Sequence, residues 1–367
     1  MARIALAGGG TGGHVYPALA MGDELRERGH DVLYYGDEAR LEGRVAPARG
    51  YTFRALQAPA FPRGGILGKV RFALELAGSV LAARRQLRED SVDLVLGVGG
   101  YISAPPVLAA WTLGKGRVVH EANVAPGLAN RLCARVADSV LLTYAETGGR
   151  LLGKAPRKVV GVPVNEKILV GDEAEAAARY GLDPARPIVM FVGGSLGAAR
   201  INELAIACAS RSDRTYQVLH LTGRRYHDEV LAAFDGEVPD GVRLVDYEDR
   251  MGLAYGIADL AVCRAGATTL AELTAVGLAS LLVPSPNVTE NHQEHNARGL
   301  EKVGAAEVLV EQGWDLDAAV SRVEVLLADP VRLQAMAEAA REQARLDAGR
   351  QAADVVEGVL GGRGLLR

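Results

Sequence analysis

Cysteine is scarce in this chain, and so are aromatic residues and long apolar runs. Cys133, Cys208 and Cys263 are three in 367 residues. They are widely spaced and set in apolar stretches, which excludes a disulfide framework and a Cys-x-x-Cys metal site and implies a reducing, cytoplasmic setting. Aromatic residues make up only 5%. No apolar run approaches the roughly 18 residues of a membrane span, and the opening MARIALAGGG meets a glycine turn too early for the apolar segment of a secretion signal. Charge of neither sign dominates, and a formal net charge of -4 gives no electrostatic reason to expect a nucleic-acid partner.

Glycine, by contrast, is abundant: 44 residues in a chain that is 49% hydrophobic and 23% charged. That is the composition of an α/β protein rich in strand-to-helix turns, and the length accommodates two domains with a core each. Apolar runs of strand length alternate with helical patterns. RIALAG, DVLYYG, VDLVLGVGG, RVVHEAN and DSVLLTY form one series; PIVMFVGG, YQVLHLTG, VRLVDY, ADLAVCRAG, ASLLVPS and AAEVLV form a second. Continuous apolar strands between helices predict doubly wound parallel sheets covered on both faces. Between the series, Gly161, Pro163 and Pro187 punctuate the chain, which places a hinge near Val162 to Asn165. The expected division is 1–163 and 164–344, with an amphipathic helix within 345–367 packing back on the first domain.

Three glycine clusters, at residues 8–13, 97–100 and 193–197, each lie between a strand and a helix. Gly8, Gly10 and Gly13 fit the G-x-G-x-x-G spacing of a dinucleotide loop, and Asp37 or Glu38 supplies the acidic residue that such a site needs after its second strand. His14 does not belong to that reading. An imidazole at a helix start can contact a polyanion or take a proton, or simply cap the turn. Gly99 and Gly100 suit a tight turn at positive φ ahead of Tyr101. Repetition of the clusters favours a diphosphate-bearing ligand.

Thr269 and Glu272 have the T-x-x-E spacing of a capping box, with a ribose contact as the functional alternative for Glu272. His292 and His295 lack metal-site spacing, and the pair Asp315 and Asp317 opens a helix where acidic residues are expected anyway. No metal and no organic cofactor is expected. Residues 62–88 carry six Lys or Arg against the single Glu75. Leu67, Val70, Leu74, Ala77 and Leu81 recur at helical spacing, widened by Phe72, Leu76 and Val80. The stripe is either an ordinary core face or, with Lys69, Arg71, Arg84 and Arg85, a surface for anionic lipid.

Taken together, GGGTGGHVYPALA, GVGGY, HEANVAPGLANRL, GGSLGAARIN, CRAGATTLAEL and HQEHNA, in unbroken order to about residue 300, resemble the MurG family of GT-B glycosyltransferases (family 28). The resemblance implies two Rossmann-like domains facing across a cleft and peripheral attachment to the cytoplasmic face of the cell membrane. It also implies inverting transfer of N-acetylglucosamine (GlcNAc) from UDP-GlcNAc to the C4 hydroxyl of the muramic acid sugar in undecaprenyl-diphospho-MurNAc-pentapeptide (lipid I), giving lipid II.

Carried over by position, Thr11, Gly12 and Gly13 would contact the donor sugar and face the acceptor diphosphate, with Gly99, Gly100 and Tyr101 in the neighbouring acceptor loop. Asn123 and Gln293 would contact the donor sugar, and Ser195 the donor phosphates. Ala267, Thr268, Thr269, Leu270, Ala271 and Glu272 would surround nucleotide and ribose, and the backbone at Glu248 would meet uracil, leaving its side chain unimportant. His14 is the expected base or acceptor-orienting group. Asn165 stands where the family has an arginine for the donor diphosphate, so Lys167, Arg200 or Arg264 is expected to supply that charge. A UDP-GlcNAc 2-epimerase of the same architecture would need no acceptor; an NAD-dependent dehydrogenase would leave the later clusters idle; a non-catalytic scaffold explains none of them.

Overall fold

The structure is a computed structural model and describes residues 1–59, 65–194, 196–288 and 291–365. In chain order the first series comprises β1 (Arg3–Gly8), α1 (Gly12–Glu27), β2 (Asp31–Gly36), α2 (Leu41–Ala48), β3 (Thr52–Ala55), α3 (Ile66–Glu89), β4 (Leu94–Gly99), α4 (Ala104–Thr112), β5 (Gly116–Glu121), α5 (Leu128–Cys133), β6 (Ser139–Leu142) and β7 (Arg157–Val159). The second comprises α6 (Glu173–Tyr180), β8 (Ile188–Val192), α7 (Ala199–Ala209), β9 (Gln217–Leu221), α8 (His227–Ala232), β10 (Val242–Val245), α9 (Met251–Ile257), β11 (Leu260–Cys263), α10 (Ala267–Val276), β12 (Ser280–Leu282), α11 (His292–Lys302), β13 (Ala306–Val308), α12 (Leu316–Leu327) and α13 (Pro330–Glu342), before α14 (Ala348–Gly362) ends the chain.

Two compact units result: Met1–Val164 with Arg345–Arg367, and Asn165–Ala344. The first holds a seven-stranded sheet in the order β3-β2-β1-β4-β5-β6-β7, the second a six-stranded sheet in the order β10-β9-β8-β11-β12-β13. Every pairing is parallel. Strands such as β4 (LVLGVG), buried along their whole length, need helices on both faces, and the intervening segments supply them. Gly97 shows how closely: a Cβ there would lie 2.8 Å from Val107 of α4.

Each sheet reverses its winding once, between β1 and β4 in the first unit and between β8 and β11 in the second. In open sheets of this kind ligands bind at the carboxyl ends of the strands where the order reverses. Both reversal points carry glycine clusters: 8–13 and 97–100 flank the first, and 193–197 lies at the second beside the turn into α10.

The last helix belongs to the first unit. Ala352, Ala353, Val356 and Leu360 join the core formed by β1, β2 and α1. Arg28 at the end of α1 clamps it from outside, bonding Glu24, Asp354, Glu357 and the Arg350 carbonyl.

Candidate active site

In the first unit the two glycine loops interlock. The register between β1 and β4 shifts at Ala7/Gly8, and the Gly9 amide donates to the Gly99 carbonyl at 3.4 Å. Gly99 and Gly100 both have positive φ, 102° and 76°, and a Cβ on Gly100 would fall 2.4 Å from the Gly9 carbonyl oxygen. Only glycine lets the loops approach so closely. Tyr101 follows directly, half-buried.

A Cβ on Gly99 would strike the His14 ring, 2.7 Å from Cδ2, so the imidazole packs against this turn. His14 Nδ1 stands 3.2 Å from both the Gly9 carbonyl and the Thr11 hydroxyl. A carbonyl only accepts, so Nδ1 carries the proton in that bond, and in the neutral ring Nε2 keeps its lone pair. Thr11 is the N-cap of α1 without a side-chain cap, so the amides of Gly12 and Gly13 head the helix unclaimed by one.

Beneath these loops lie two buried carboxylates that local spacing did not single out. Glu42, on α2, accepts from the Gly10 amide at 3.1 Å and the Asp37 amide at 3.4 Å. Its side chain fills the space where a Cβ on Gly9 would be. Glu121, at the end of β5, accepts from the Asn123 amide at 2.9 Å, the Gly127 amide at 3.1 Å and the Asn130 side chain at 2.9 Å. Burial pushes its carboxyl up, opposed by these bonds. Asn123 is thereby held in a tight Asx-like turn whose carbonyl accepts from Thr147. His120 is fully buried, donates Nε2–H to the Gly161 carbonyl at 2.8 Å and is pushed down to about 4 by desolvation. It is therefore neutral at working pH. Of the two acids considered after the second strand, Asp37 and Glu38, Asp37 accepts from the Ala39 amide of its own turn.

In the second unit, Gly193, Gly194 and Gly197 form the turn from β8 into α7, with φ of 92° at Gly194 and 79° at Gly197. Gly197 packs on Gly223, where a Cβ would lie 2.1 Å from the Gly197 amide nitrogen. Ser195 lies outside the described residues. One strand over, α10 begins at Ala267 with Gly266 as its N-cap and no side-chain cap. The capping box expected from Thr269 and Glu272 does not form, because the helix starts earlier and Thr269 is already its third residue. Glu272 instead accepts from the Tyr255 hydroxyl at 2.7 Å, and burial pushes its carboxyl up to about 7, the tyrosine bond opposing. The Thr268 hydroxyl is shut off from solvent with no partner among the described residues. Ala267 and Leu270 are buried, and Ala271 is half-buried.

Glu248 is a second correction. Its carboxylate accepts from Arg179 at 2.9 and 3.2 Å, from Tyr180 at 2.7 Å and from the Arg250 amide at 2.8 Å. Burial opposes ionisation, yet these donors hold the carboxyl below its usual range, so the side chain matters for the turn after β10. Gln293 accepts from the Ser285 amide at 2.9 Å. Asn165 accepts from the Lys167 amide at 3.0 Å. Of the three cations considered beside it, Arg264 is bound to Glu311 and the Val283 carbonyl, and Arg200 to Glu203. Lys167 is exposed, with no ion pair among the described residues.

Asp315 caps α12 through the Ala318 amide, and no group of three or more His, Cys, Asp or Glu among the described residues is arranged to hold a metal. The stripe on α3 is not a core face. Leu67, Val70, Leu74 and Leu81 are 87%, 53%, 70% and 66% exposed, alongside Lys69, Arg71 and Arg85. Phe72, Leu76 and Val80 are half-buried, Arg84 bonds the Thr112 carbonyl of α4, and Ala83 and Leu87 join the core with Val80 packed against it. Among the described residues no helix is long and apolar enough to cross a membrane.

Two family models match this chain, the glycosyltransferase family 28 N-terminal domain over residues 4–142 and the family 28 C-terminal domain over 188–352. A UDP-N-acetylglucosamine–N-acetylmuramyl-(pentapeptide) pyrophosphoryl-undecaprenol N-acetylglucosamine transferase from Halothermothrix orenii is 38% identical over 352 residues, 94% of this chain and 95% of the relative. The transferase of the same name from Clavibacter sepedonicus is 41% identical over 366 residues, 98% and 96% of the two chains. The crystal structure of Acinetobacter baumannii MurG superposes with a TM-score of 0.78 at 25% identity, covering 98% of this chain and 100% of that one. Paired parallel-sheet units with glycine loops at their reversal points are the architecture of a GT-B glycosyltransferase. The chain belongs to glycosyltransferase family 28, among the MurG transferases.

Proposed function

We propose that this protein transfers GlcNAc from UDP-GlcNAc to the C4 hydroxyl of the muramic acid sugar in undecaprenyl-diphospho-MurNAc-pentapeptide (lipid I), with inversion at the anomeric carbon, to form lipid II. The observation that carries this reading is the match of both units, over nearly the whole chain, to transferases named for that donor sugar and acceptor. It is tested by incubating the protein with labelled UDP-GlcNAc and a short-chain lipid I analogue. Disaccharide forms only when the acceptor is present; consumption of UDP-GlcNAc without acceptor would indicate epimerisation instead.

Inversion in one step needs a base for the C4 proton, an oxocarbenium-like sugar and stabilisation of the departing diphosphate. His14 suits the first role, since an Nδ1–H bonded to the Gly9 carbonyl puts the lone pair of the neutral ring on Nε2. Thr11, Gly12, Gly13, Gly99, Gly100 and Tyr101 form the acceptor and donor-sugar rim, and Asn123, held in its turn by Glu121, contacts the donor sugar. In the second unit the starts of α7 and α10, without side-chain caps, offer backbone amides and positive helix ends for the UDP diphosphate; Ser195 is assigned to the phosphates and Gln293 to the sugar. Residues 267–272 line the nucleoside, Glu272 takes the ribose hydroxyls, and the chain at Glu248 meets uracil. Because Arg200 and Arg264 are paired elsewhere, Lys167 beside Asn165 replaces the family arginine. The amides and this lysine serve the diphosphate without a metal, so UDP-GlcNAc affinity is unchanged in EDTA; loss of binding in chelator would contradict this.

The exposed stripe of α3, flanked by Lys69, Arg71, Arg84 and Arg85, docks peripherally on anionic lipid at the cytoplasmic face of the cell membrane. Each cation near such a surface contributes roughly 1 kcal/mol.

A further inference from the structure

Glu272, half-buried, differs from the buried carboxylates of the molecule. Glu248 answers to a guanidinium, and Glu42 and Glu121 are satisfied by backbone or side-chain amides on both oxygens. Glu272 has one partner, the Tyr255 hydroxyl, 2.7 Å from Oε2. Its Oε1 makes no hydrogen bond with any described residue. Tyr255 is 4% exposed and has no polar partner besides Glu272 among the described residues. A buried hydroxyl without an acceptor is costly, and burial drives the phenol well above its usual range. Tyr255 therefore stays protonated and donates, which demands an acceptor oxygen on Glu272 and favours the ionised carboxylate.

We infer that Tyr255 is the positioning residue that fixes the Glu272 carboxylate for the two vicinal hydroxyls of a ribose, and so makes this unit select a ribonucleotide over its 2′-deoxy counterpart. The inference rests on the reading of the second unit as the donor-nucleotide unit. A diol donating two hydrogen bonds needs both carboxylate oxygens held in one plane. Tyr255 stops rotation about the last side-chain bond through one lone pair of Oε2, and leaves the second lone pair and all of Oε1 to the ligand. Both partners are anchored in packed helices: Leu253, Ala254 and Tyr255 of α9 and Leu270 and Leu273 of α10 share one core with β8 and β11.

The test is titration calorimetry of the full chain with UDP and with 2′-deoxy-UDP, using wild type, Tyr255→Phe and Glu272→Gln. Wild type prefers UDP by about tenfold or more, as expected for hydrogen bonds to a charged group. Tyr255→Phe weakens UDP by about tenfold but 2′-deoxy-UDP by less than about twofold, and in turnover raises KM for UDP-GlcNAc with kcat nearly unchanged. Binding of the deoxy ligand itself shows that the variant is folded. Equal weakening of both ligands, or unchanged UDP binding while Glu272→Gln abolishes the preference, overturns the inference and leaves the donor site standing. Absence of any ribose preference in wild type, or its persistence in Glu272→Gln, overturns both.

Discussion

Two residues, His14 and Glu272, carry the chemistry argued here, and each depends on a neighbour distant in sequence. His14 is oriented by the Gly9 carbonyl and lies on Gly99. Replacing it with alanine should lower kcat by about 10²- to 10⁴-fold, the range for removing a general base, while the dissociation constant for UDP stays within about twofold, a split that separates catalysis from donor binding. Glu272 titrates at about 7 in the free protein, and two ribose hydroxyls need its ionised form. UDP affinity should therefore rise as pH increases through neutrality and level off above about pH 8, and calorimetry of Glu272→Gln should show that dependence removed. Glu42, Asn130 and Tyr255 were not legible as site residues. Glu42 meets a glycine amide 32 positions away, and Tyr255 reaches Glu272 across 17, so no local period records either contact. The T-x-x-E pattern at Thr269 misled for a related reason. Helix α10 starts at a glycine three residues earlier, where the chain leaves β11, and tertiary placement overrode the local cap.

At the level of elements, eleven strands were legible from their apolar runs, most of them because a strand buried on both faces has few polar residues to disguise it, and β10 (VRLV) although it lies at a sheet edge. Strands β3 (TFRA) and β7 (RKV) were not. They are short, partly charged and lie at the two edges of the first sheet, where one side faces solvent and charge is tolerated. The helical stripe of α3 was legible as a stripe but not as an exposed one, since periodicity reports a face and not what covers it. Leu67 and Leu74 are largely exposed and outside the core clusters, so the double variant Leu67→Glu, Leu74→Glu should leave the melting temperature unchanged within about 1 °C. It should reduce sedimentation with anionic vesicles severalfold, and high salt should weaken wild-type binding in the same assay.

The α14 clamp gives an element-scale prediction of the opposite kind. Burial works against ionisation of Glu357, but bonds from His30 and Arg28 outweigh it and hold the carboxyl below its usual range. A carboxyl lowered on folding stabilises the native state fully above its unfolded value near 4.5, and that contribution is lost as pH falls through the lower folded value. Arg28→Ala should cost about 1–2 kcal/mol at neutral pH, with hydrogen exchange quickened first in α14.

Over the whole molecule, the chain builds two separate sheets, and each sheet places its glycine loops where its winding reverses. That coincidence of topology and composition is what turns repeated weak glycine signals into one functional reading: a rim for acceptor and base on the first unit, a rim for the nucleotide diphosphate on the second. UDP should accordingly slow amide exchange in the segments around 193–197 and 266–272 and leave the loops at 8–13 and 99–101 unprotected until acceptor is added. The most direct measurement is the anomeric configuration of the disaccharide formed from α-linked UDP-GlcNAc and a lipid I analogue, read by proton NMR. The account predicts an acceptor-dependent product with a β linkage. An α-linked product, or a sugar product formed with no acceptor present, would contradict it.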